Sequence, residues 1–285
     1  MKSVRICVAA ITAGVVCIAV MIGILSAAIY AENESGNSFI GLMYHQVLKD
    51  ESRAGKYIIT PNELESDLAY LSENGYVSVL PSQLVKIREQ GGRLPEKTVV
   101  ITFDDGYETG LYYVLPLLKK YGMKAVINVV GSYTDEYSRI NEEGKHLSYA
   151  YLTWNEIKKL SDSGYAEIGN HTYDMHSYNG ERNGCARKEN ESDEQYRTVL
   201  YEDVARLSDK LQQVTGKRPV AFAYPFGSLS EGSAEIIGSA GISVFMTCCE
   251  QPCSMNRNGR IVINRYNRES GRTAQQICEE FNNAF

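Results

Sequence analysis

The 285-residue sequence lacks a surplus of positive charge, because 29 lysines and arginines stand against 35 aspartates and glutamates. The formal net charge of -6 argues against a nucleic-acid partner, since phosphate binding relies on an excess of Lys and Arg. The sequence also lacks a P-loop or a Gly-x-Gly-x-x-Gly motif after a predicted strand, so no nucleotide partner is expected. No internal repeat of fixed period is visible, which argues against a repeat architecture.

Charged residues are missing from residues 6–31, a run slightly longer than the roughly 20 apolar residues that span a bilayer. Lys2 and Arg5 precede this run. Positive charge at that end keeps it inside, so the rest of the chain is expected to face outward. Small residues at Ser26 and Ala27 also offer a cleavage site, although a cleaved signal peptide usually has a shorter apolar region.

Three regions follow from this pattern. Residues 1–31 are interpreted as a signal anchor, with a signal peptide as the alternative. Residues 32–38 form a polar linker, and residues 39–285 a single folded domain. The predicted location is therefore extracytoplasmic, either anchored to the cell membrane through the N-terminal helix or secreted.

Five of the seven cysteines follow the N-terminal run, and an odd number leaves at least one thiol free or paired between chains. Cys248, Cys249 and Cys253 have neither a Cys-x-x-Cys partner nor a nearby His. A loop disulfide or plain free thiols are therefore favoured over a metal knot.

Short apolar runs alternate with helical patterns along the rest of the chain. Thr60 and Thr153 each open a predicted helix with a capping box, because a Glu stands three residues later. Strands are predicted at residues 39–44, 99–103, 125–130, 166–169, 220–224, 242–246 and 260–263, the last of these being the final strand. Alternating strands and helices imply a parallel sheet. Seven or eight strands favour an α/β barrel over an open sheet.

Titratable side chains gather at the predicted strand ends. In barrels of this type active-site groups lie at the carboxyl ends of the strands, which here gives His45, Asp104, Asp105, His171 and His176. Two His and one Asp make the three-ligand arrangement of a hydrolytic metal site, and a second Asp stays free to take a proton from water. On a regular helix, side chains five residues apart point roughly 140° away from each other, so they cannot both face one ligand. His171 and His176 would therefore have to ligate from a loop.

Each of these features also has a plainer interpretation. Asp-Asp-Gly alone is often only a turn, and the two late His could lie on a polar surface loop. His45 could be a buried histidine with a satisfied hydrogen bond, and His146 is interpreted as structural or surface. A carboxylate pair that ends one buried-looking strand, with a His pair that ends another, favours the metal site.

The residues at these strand ends resemble the polysaccharide deacetylase family, a carbohydrate esterase family 4-like group that includes nodulation-factor deacetylases. Residues 102–106 (TFDDG) match its first motif, residues 170–176 (NHTYDMH) resemble its second, and residues 223–227 (AYPFG) stand where the third usually lies. The resemblance covers the chain from Phe39 onward. It implies a distorted (β/α) barrel with about seven parallel strands that hydrolyses N-acetyl groups on amino-sugar polymers.

The same resemblance implies a role for each matched residue. Asp104 corresponds to the catalytic base, and the backbone N–H of Phe226 to an oxyanion donor. The divalent metal would be held by Asp105, His171 and His176. This ligand set favours Zn²⁺, with Co²⁺ and Ni²⁺ as alternatives. Three tyrosines beside the motifs are candidates to stack on sugar rings, namely Tyr107, Tyr173 and Tyr224.

The chain also departs from the family pattern. Its second-motif His residues are five apart rather than four, and Ala223 replaces the Arg that usually braces the base. The late Leu-x-His motif is missing, since no His follows residue 176. With these departures, the chain resembles the branch that deacetylates poly-β-1,6-N-acetylglucosamine in biofilms. In that branch an early His is the general acid. The resemblance therefore implies that His45 protonates the leaving amine. Arg265 and Arg268 are the candidates to brace Asp104.

The sequence therefore predicts a metal-dependent polysaccharide N-deacetylase that acts on a cell-envelope or biofilm polymer and releases acetate. One alternative is an inactive glycan-binding surface module, which the loss of the third-motif Arg and the late His would permit. Intact carboxylates at Asp104 and Asp105 argue against it. Another alternative is an amidase on a non-sugar amide, because fold resemblance by itself does not fix the substrate.

Overall fold

The computed structural model describes residues 37–140, 146–178, 181–255 and 259–283. The predicted signal anchor or signal peptide at residues 1–31 lies outside these ranges, as does most of the linker at residues 32–38. Within the described ranges, no helix is both long enough and apolar enough to cross a membrane.

The described residues form twelve strands and eight α-helices. The strands are β1 (Ser38–Tyr44), β2 (Gln46–Val47), β3 (Ile58–Ile59), β4 (Val77–Ser78), β5 (Thr98–Phe103), β6 (Ala125–Val129), β7 (Ala166–Asn170), β8 (Ala221–Ala223), β9 (Val244–Met246), β10 (Cys253–Ser254), β11 (Ile261–Ile263) and β12 (Arg265–Asn267). The helices are α1 (Pro61–Glu73), α2 (Pro81–Glu89), α3 (Leu115–Tyr121), α4 (Gly131–Tyr137), α5 (Trp154–Asp162), α6 (Asp193–Thr215), α7 (Ser233–Ser239) and α8 (Ala274–Asn283).

The main sheet curls into a near-barrel. Its strands run in the order β1, β5, β6, β7, β8, β9 and β11, and each neighbouring pair is parallel. After β11 the chain continues through Asn264 into β12, which pairs in parallel with β1. One segment therefore joins the two edges of the sheet, with β11 on β9 and β12 on β1. The predicted α/β near-barrel of about seven mostly parallel strands is confirmed.

The segment that closes the barrel was not fully predicted. The sequence prediction ends the last strand at Ile263, yet the polar segment Arg265–Asn267 forms β12, and all three of its residues are buried. Gly41 permits the close approach of this segment to β1, since a Cβ there would lie 2.3 Å from the carbonyl oxygen of Asn264. Tertiary contacts thus make β12 a buried strand although its sequence is polar.

The two faces of each strand pack against different partners. Val99 and Ile101 of β5 join the large apolar cluster beneath α1, α3 and α5, whereas Val100 joins a second cluster with residues of β8, β9 and β11. Side chains alternate between the faces of a strand, so Thr102 and Asp104 follow Val100 on the face toward the barrel interior. The peptide of Asp104 continues the ladder, because its N–H donates to Tyr44 O at 2.9 Å.

Helix starts follow the predicted capping chemistry. Thr60 accepts from the Glu63 N–H at 3.2 Å, and its own N–H donates to Glu63 Oε2 at 2.8 Å. Thr153 and Glu156 repeat this reciprocal pair at the start of α5. All five cysteines within the described ranges are free thiols.

Candidate metal centre and catalytic groups

Three of the predicted site residues converge at the carboxyl end of the barrel. Asp105 follows β5, and His171 follows β7. Asp105 Oδ1 lies 3.0 Å from His176 Nε2 and 3.5 Å from His171 Nε2. One ligand atom from each of the three residues lies within 4.8 Å of the other two. Such a cluster of one carboxylate oxygen and two imidazole nitrogens can hold a divalent cation.

A non-helical loop brings the two histidines together across their five-residue spacing. Residues 171–177 contain no helix, as the sequence predicts for this spacing. Thr172 takes a left-handed conformation with φ of 73°, and its N–H donates to Asn170 Oδ1 at 2.8 Å. Left-handed non-glycine residues are costly and cluster at functional sites, and Asp105 is another, with φ of 71°.

His171 is held in one tautomer. Its Nδ1 lies 2.8 Å from the carbonyl oxygen of Ala223, so Nδ1 carries the proton and donates, which leaves Nε2 to face Asp105. Burial favours the neutral imidazole, but the hydrogen bond to Asp105 and the charge of Asp104 together raise the pKa of His171. Ala223 therefore takes part through its backbone, although its side chain is not the arginine that the family resemblance implies.

The carboxylate of Asp105 is strongly favoured in its ionised form. Burial raises the pKa of this group, but hydrogen bonds from His171 and His176, with the charges of His45 and His171, together outweigh that effect and hold the pKa well below its usual range. An ionised carboxylate beside two imidazole nitrogens is the charge pattern expected of a cation site.

Asp104 is buried and braced by two donors. Arg265 Nη1 and Asn128 Nδ2 each donate to Asp104 Oδ1 at 2.7 Å. Burial raises the pKa of Asp104, but the charges of Arg265, His171 and His45 and the hydrogen bond from Arg265 together outweigh it and lower the pKa to about 2. The carboxylate therefore stays ionised at neutral pH, and both of these hydrogen bonds fall on the same oxygen.

Arg265 is the brace, and Arg268 is not. Arg265 is fully buried, and its Nε donates to Thr247 O at 3.0 Å, which fixes the guanidinium beside Asp104. Arg268 instead pairs with Asp67, with Nε and Oδ2 2.7 Å apart. Of the two arginines named from the sequence, the second was therefore wrong. Asn128, which no motif signals, is an additional residue at the site.

His45 lies at the end of β1, beside the strand that carries the two aspartates. Its Nδ1 is buried, and no group in the described part of the chain hydrogen-bonds to it. The ring meets the edge of Tyr57, with centroids 4.7 Å apart. Burial lowers the pKa of His45, an effect that the charges of the nearby aspartates only partly oppose. The alternative interpretation, a buried histidine with a satisfied hydrogen bond, therefore has no support at Nδ1.

Phe226 lies at the rim of the same cluster. It occupies a short 3-10 turn, Pro225–Gly227, one residue after β8, and its φ of 59° is left-handed. The side chain is 53% exposed, and its ring lies 4.7 Å from the ring of His176, measured between centroids. The oxyanion role of its backbone N–H stays a prediction.

The exposed aromatic rings at the rim are not those named from the sequence. Tyr173 and Tyr224 are buried, so their predicted role in stacking on sugar rings was wrong. Tyr107 stacks on Tyr151, with centroids 4.9 Å apart. Besides Phe226, an exposed ring beside the site is Tyr57, at 49% exposure, from a loop that carries no motif.

A parallel near-barrel with an Asp-His-His cluster and a braced carboxylate at its carboxyl end defines a class of barrel hydrolase. A family model described as polysaccharide deacetylase matches residues 91–245. The chain belongs to the polysaccharide deacetylase family, and is a hydrolase of that family.

Several relatives carry the name poly-beta-1,6-N-acetyl-D-glucosamine N-deacetylase. The protein of that name from Escherichia coli (strain K12) is 26% identical over 230 residues, covering 74% of this chain and 34% of the relative. The chain thus spans about a third of that relative's length. The one from Staphylococcus aureus (strain MRSA252) is 23% identical over 234 residues, covering 78% of this chain and 76% of the relative.

Two solved structures share the fold over most of their length. A de-N-acetylase from Aggregatibacter actinomycetemcomitans has a TM-score of 0.73 and 25% identity, covering 85% of this chain and 99% of that one. IcaB from Ammonifex degensii has a TM-score of 0.68 and 26% identity, covering 86% of this chain and 97% of that one.

Proposed function

We propose that this protein removes N-acetyl groups from poly-β-1,6-N-acetylglucosamine outside the cytoplasm and releases acetate, using a bound divalent metal. The observation that carries the proposal is the braced carboxylate of Asp104 directly beside the Asp105–His171–His176 cluster. The names of the relatives support the choice of polymer. The apolar N-terminal run supports an extracytoplasmic location, with residues 1–31 as an anchor or signal peptide.

The donor set fits a metal of the zinc type. Asp105, His171 and His176 would hold it, and the hydrogen bond between His171 Nδ1 and Ala223 O leaves Nε2 free to ligate. Zn²⁺ suits such a site, and Co²⁺ and Ni²⁺ suit it as well. The bound cation would lower the pKa of a water molecule and polarise the acetyl carbonyl.

Asp104 is proposed as the general base. With its pKa lowered to about 2, it is ionised at neutral pH and can accept a proton from the attacking water. Arg265 and Asn128 both bind Oδ1, which leaves Oδ2 as the oxygen that takes the proton. Arg265 is held by Thr102 and Thr247 as well, so the base is fixed in place before substrate arrives.

His45 is proposed as the general acid. It ends the strand next to that of Asp104, and in protonated form it can donate to the nitrogen of the leaving amine. Proton transfer to this nitrogen is required because an amide anion is a poor leaving group. Phe226, on the rim beside His176, is proposed to supply a backbone N–H to the developing oxyanion.

Substrate recognition is proposed to use exposed aromatic rings on both sides of the cluster. Tyr57 packs against His45, and Phe226 packs against His176, and each is about half exposed. Aromatic rings offer an apolar face on which sugar rings stack. A module that only binds glycans has no need of a fully buried Arg265–Asp104 pair, since burying two charges is costly.

Acetate release from defined oligomers tests the proposal. The full chain is stripped of metal, reloaded with Zn²⁺, Co²⁺ or Ni²⁺, and incubated with N-acetylglucosamine oligomers of β-1,6 or β-1,4 linkage. We expect metal-dependent acetate release, with preference for the β-1,6 oligomers. Preference for β-1,4 oligomers would redirect the proposal to a peptidoglycan-like polymer. Metal binding without acetate release from either substrate would contradict the deacetylase.

A further inference from the structure

The two histidines of the cluster are anchored in different ways. His171 is fixed from both its backbone and its side chain, because its N–H donates to Val129 O at 3.0 Å and its Nδ1 donates to Ala223 O at 2.8 Å. Tyr133 ties His176 less tightly at the ring, because its Oη lies 3.4 Å from Nδ1, although the same hydroxyl donates to His176 O at 3.0 Å. Besides this contact with Tyr133, the position of His176 depends on the loop that joins it to His171.

Asp203 of α6 binds that loop through both carboxylate oxygens. Oδ1 accepts from the Tyr173 N–H at 2.7 Å, and Oδ2 accepts from the Asp174 N–H at 2.8 Å. These are successive peptide groups between the two histidines. A single carboxylate that accepts from two successive N–H groups fixes the direction of the backbone at that point.

Further contacts hold the side chain of Tyr173 against the same helix. Its hydroxyl donates to Asp135 Oδ2 at 2.5 Å, and the guanidinium of Arg206 lies 3.6 Å from the ring centroid. Lys210 of α6 donates to both oxygens of Asp135 at 2.7 Å. The loop is therefore attached to α6 through its backbone at Asp203 and through the Tyr173 side chain.

We propose that Asp203 is a positioning residue for the metal centre. By holding the loop, Asp203 keeps His176 at the distance from Asp105 and His171 that a cation requires. This inference rests on the metal site proposed above. Partners that orient the ligands of a metal commonly change its affinity by roughly 10- to 100-fold when they are removed. No motif of the sequence signals Asp203, which lies in the middle of a long helix.

Metal affinity of the full chain tests this role. The variant Asp203→Asn keeps the size of the side chain but replaces one acceptor oxygen by an NH₂ group, which cannot accept from the loop. Asp209→Asn is the matched control, because Asp209 lies on the same helix and pairs with Arg218 at 2.6 Å, away from the loop. Zn²⁺ affinity is measured by competition with a chromophoric chelator, and the coordination geometry by the visible spectrum of the Co²⁺-loaded protein.

We expect Asp203→Asn to weaken Zn²⁺ binding by roughly 10- to 100-fold and to change the Co²⁺ spectrum, while Asp209→Asn matches the wild type. Thermal unfolding of the metal-free proteins separates positioning from folding. A Zn²⁺ affinity of Asp203→Asn within twofold of the wild type would overturn the inference. If the variant is also less stable without metal but has an unchanged Co²⁺ spectrum, Asp203 serves folding only. Failure of the wild-type chain to bind Zn²⁺ would overturn the metal site itself, and this inference with it.

Discussion

Arg265 Nη1 lies 2.7 Å from Asp104 Oδ1, and both side chains are almost completely buried. Arg265 belongs to β12, whereas Asp104 follows β5, so the two residues are 161 positions apart in the chain. The strand that closes the barrel thus supplies the brace for the proposed base. Ala223 stands at the motif position where the family resemblance implies an arginine, and a different arginine reaches the carboxylate from another strand.

Removal of this brace should destabilise the fold. Arg265→Gln leaves the buried charge of Asp104 without its partner, and breaking a buried pair in this way costs about 3 to 5 kcal/mol of unfolding free energy. Urea denaturation measures the loss. The control is Arg260→Gln, whose exposed pair with Glu235 at 2.9 Å is screened by solvent and should contribute little to stability. Equal losses in the two variants would contradict the role of Arg265.

The pH dependence of kcat should depend on His45. Burial lowers the pKa of His45 below that of an ordinary histidine, and only the protonated imidazole can donate to the amine. The wild-type rate should therefore fall as pH rises through that lowered pKa. His45→Ala should reduce kcat by roughly 10²- to 10⁴-fold and remove this alkaline limb.

His146→Ala is the matched control for that profile, since His146 is exposed and forms no part of the cluster. The control should retain both the wild-type kcat and its fall at alkaline pH. If kcat of His45→Ala still falls at alkaline pH as in the wild type, His45 is not the general acid.

Metal binding should stabilise the folded chain through the Asp105–His171–His176 cluster. A ligand that binds only the folded state at 100 times its dissociation constant stabilises it by about 2.7 kcal/mol. Thermal unfolding of the metal-stripped protein should therefore shift upward on addition of Zn²⁺, and His176→Ala should lose most of the shift. Asp174→Asn, in the same loop, removes no ligand and should keep it. A full shift in His176→Ala would place the cation elsewhere.

The exposed ring of Tyr57 should contribute to polymer binding rather than to chemistry. Tyr57→Ala should raise KM for β-1,6-linked oligomers by about fivefold, which corresponds to about 1 kcal/mol of lost stacking. Tyr57→Phe keeps the ring and should keep the wild-type KM. Tyr201→Ala removes a tyrosine of similar exposure on α6, outside the cluster, and serves as the control. A fall in kcat at constant KM would instead indicate that the ring acts through His45.

The strand-end residues could be predicted because the apolar runs before them are unambiguous. Thr98–Phe103 is buried throughout, so the position of Asp104 and Asp105 at its end follows from the pattern alone. Side-chain direction was harder to predict. Tyr173 and Tyr224 adjoin the motifs but point into the protein, since adjacent residues on a chain face different sides.

Residues that reach the site from elements without a motif could not be predicted. Arg265 and Arg268 were equal candidates, because the sequence gives no sign that β12 is a strand or which of its residues face inward. Tyr57 comes from an irregular loop. Asp203 lies in the middle of α6, and nothing in the sequence around it indicates which groups its carboxylate contacts. Their roles depend on tertiary packing rather than on local pattern.

Asp104 carries the central claim, because it alone separates a deacetylase from a module that binds metal and glycan. The most direct measurement is acetate release from a β-1,6-linked N-acetylglucosamine oligomer by the Zn²⁺-loaded wild type and by Asp104→Asn, with Zn²⁺ affinity recorded for both. The account predicts that the variant releases acetate at least about 100-fold more slowly while binding Zn²⁺ as the wild type does. Equal rates in the two proteins, or no acetate from a wild type that binds both metal and oligomer, would contradict it.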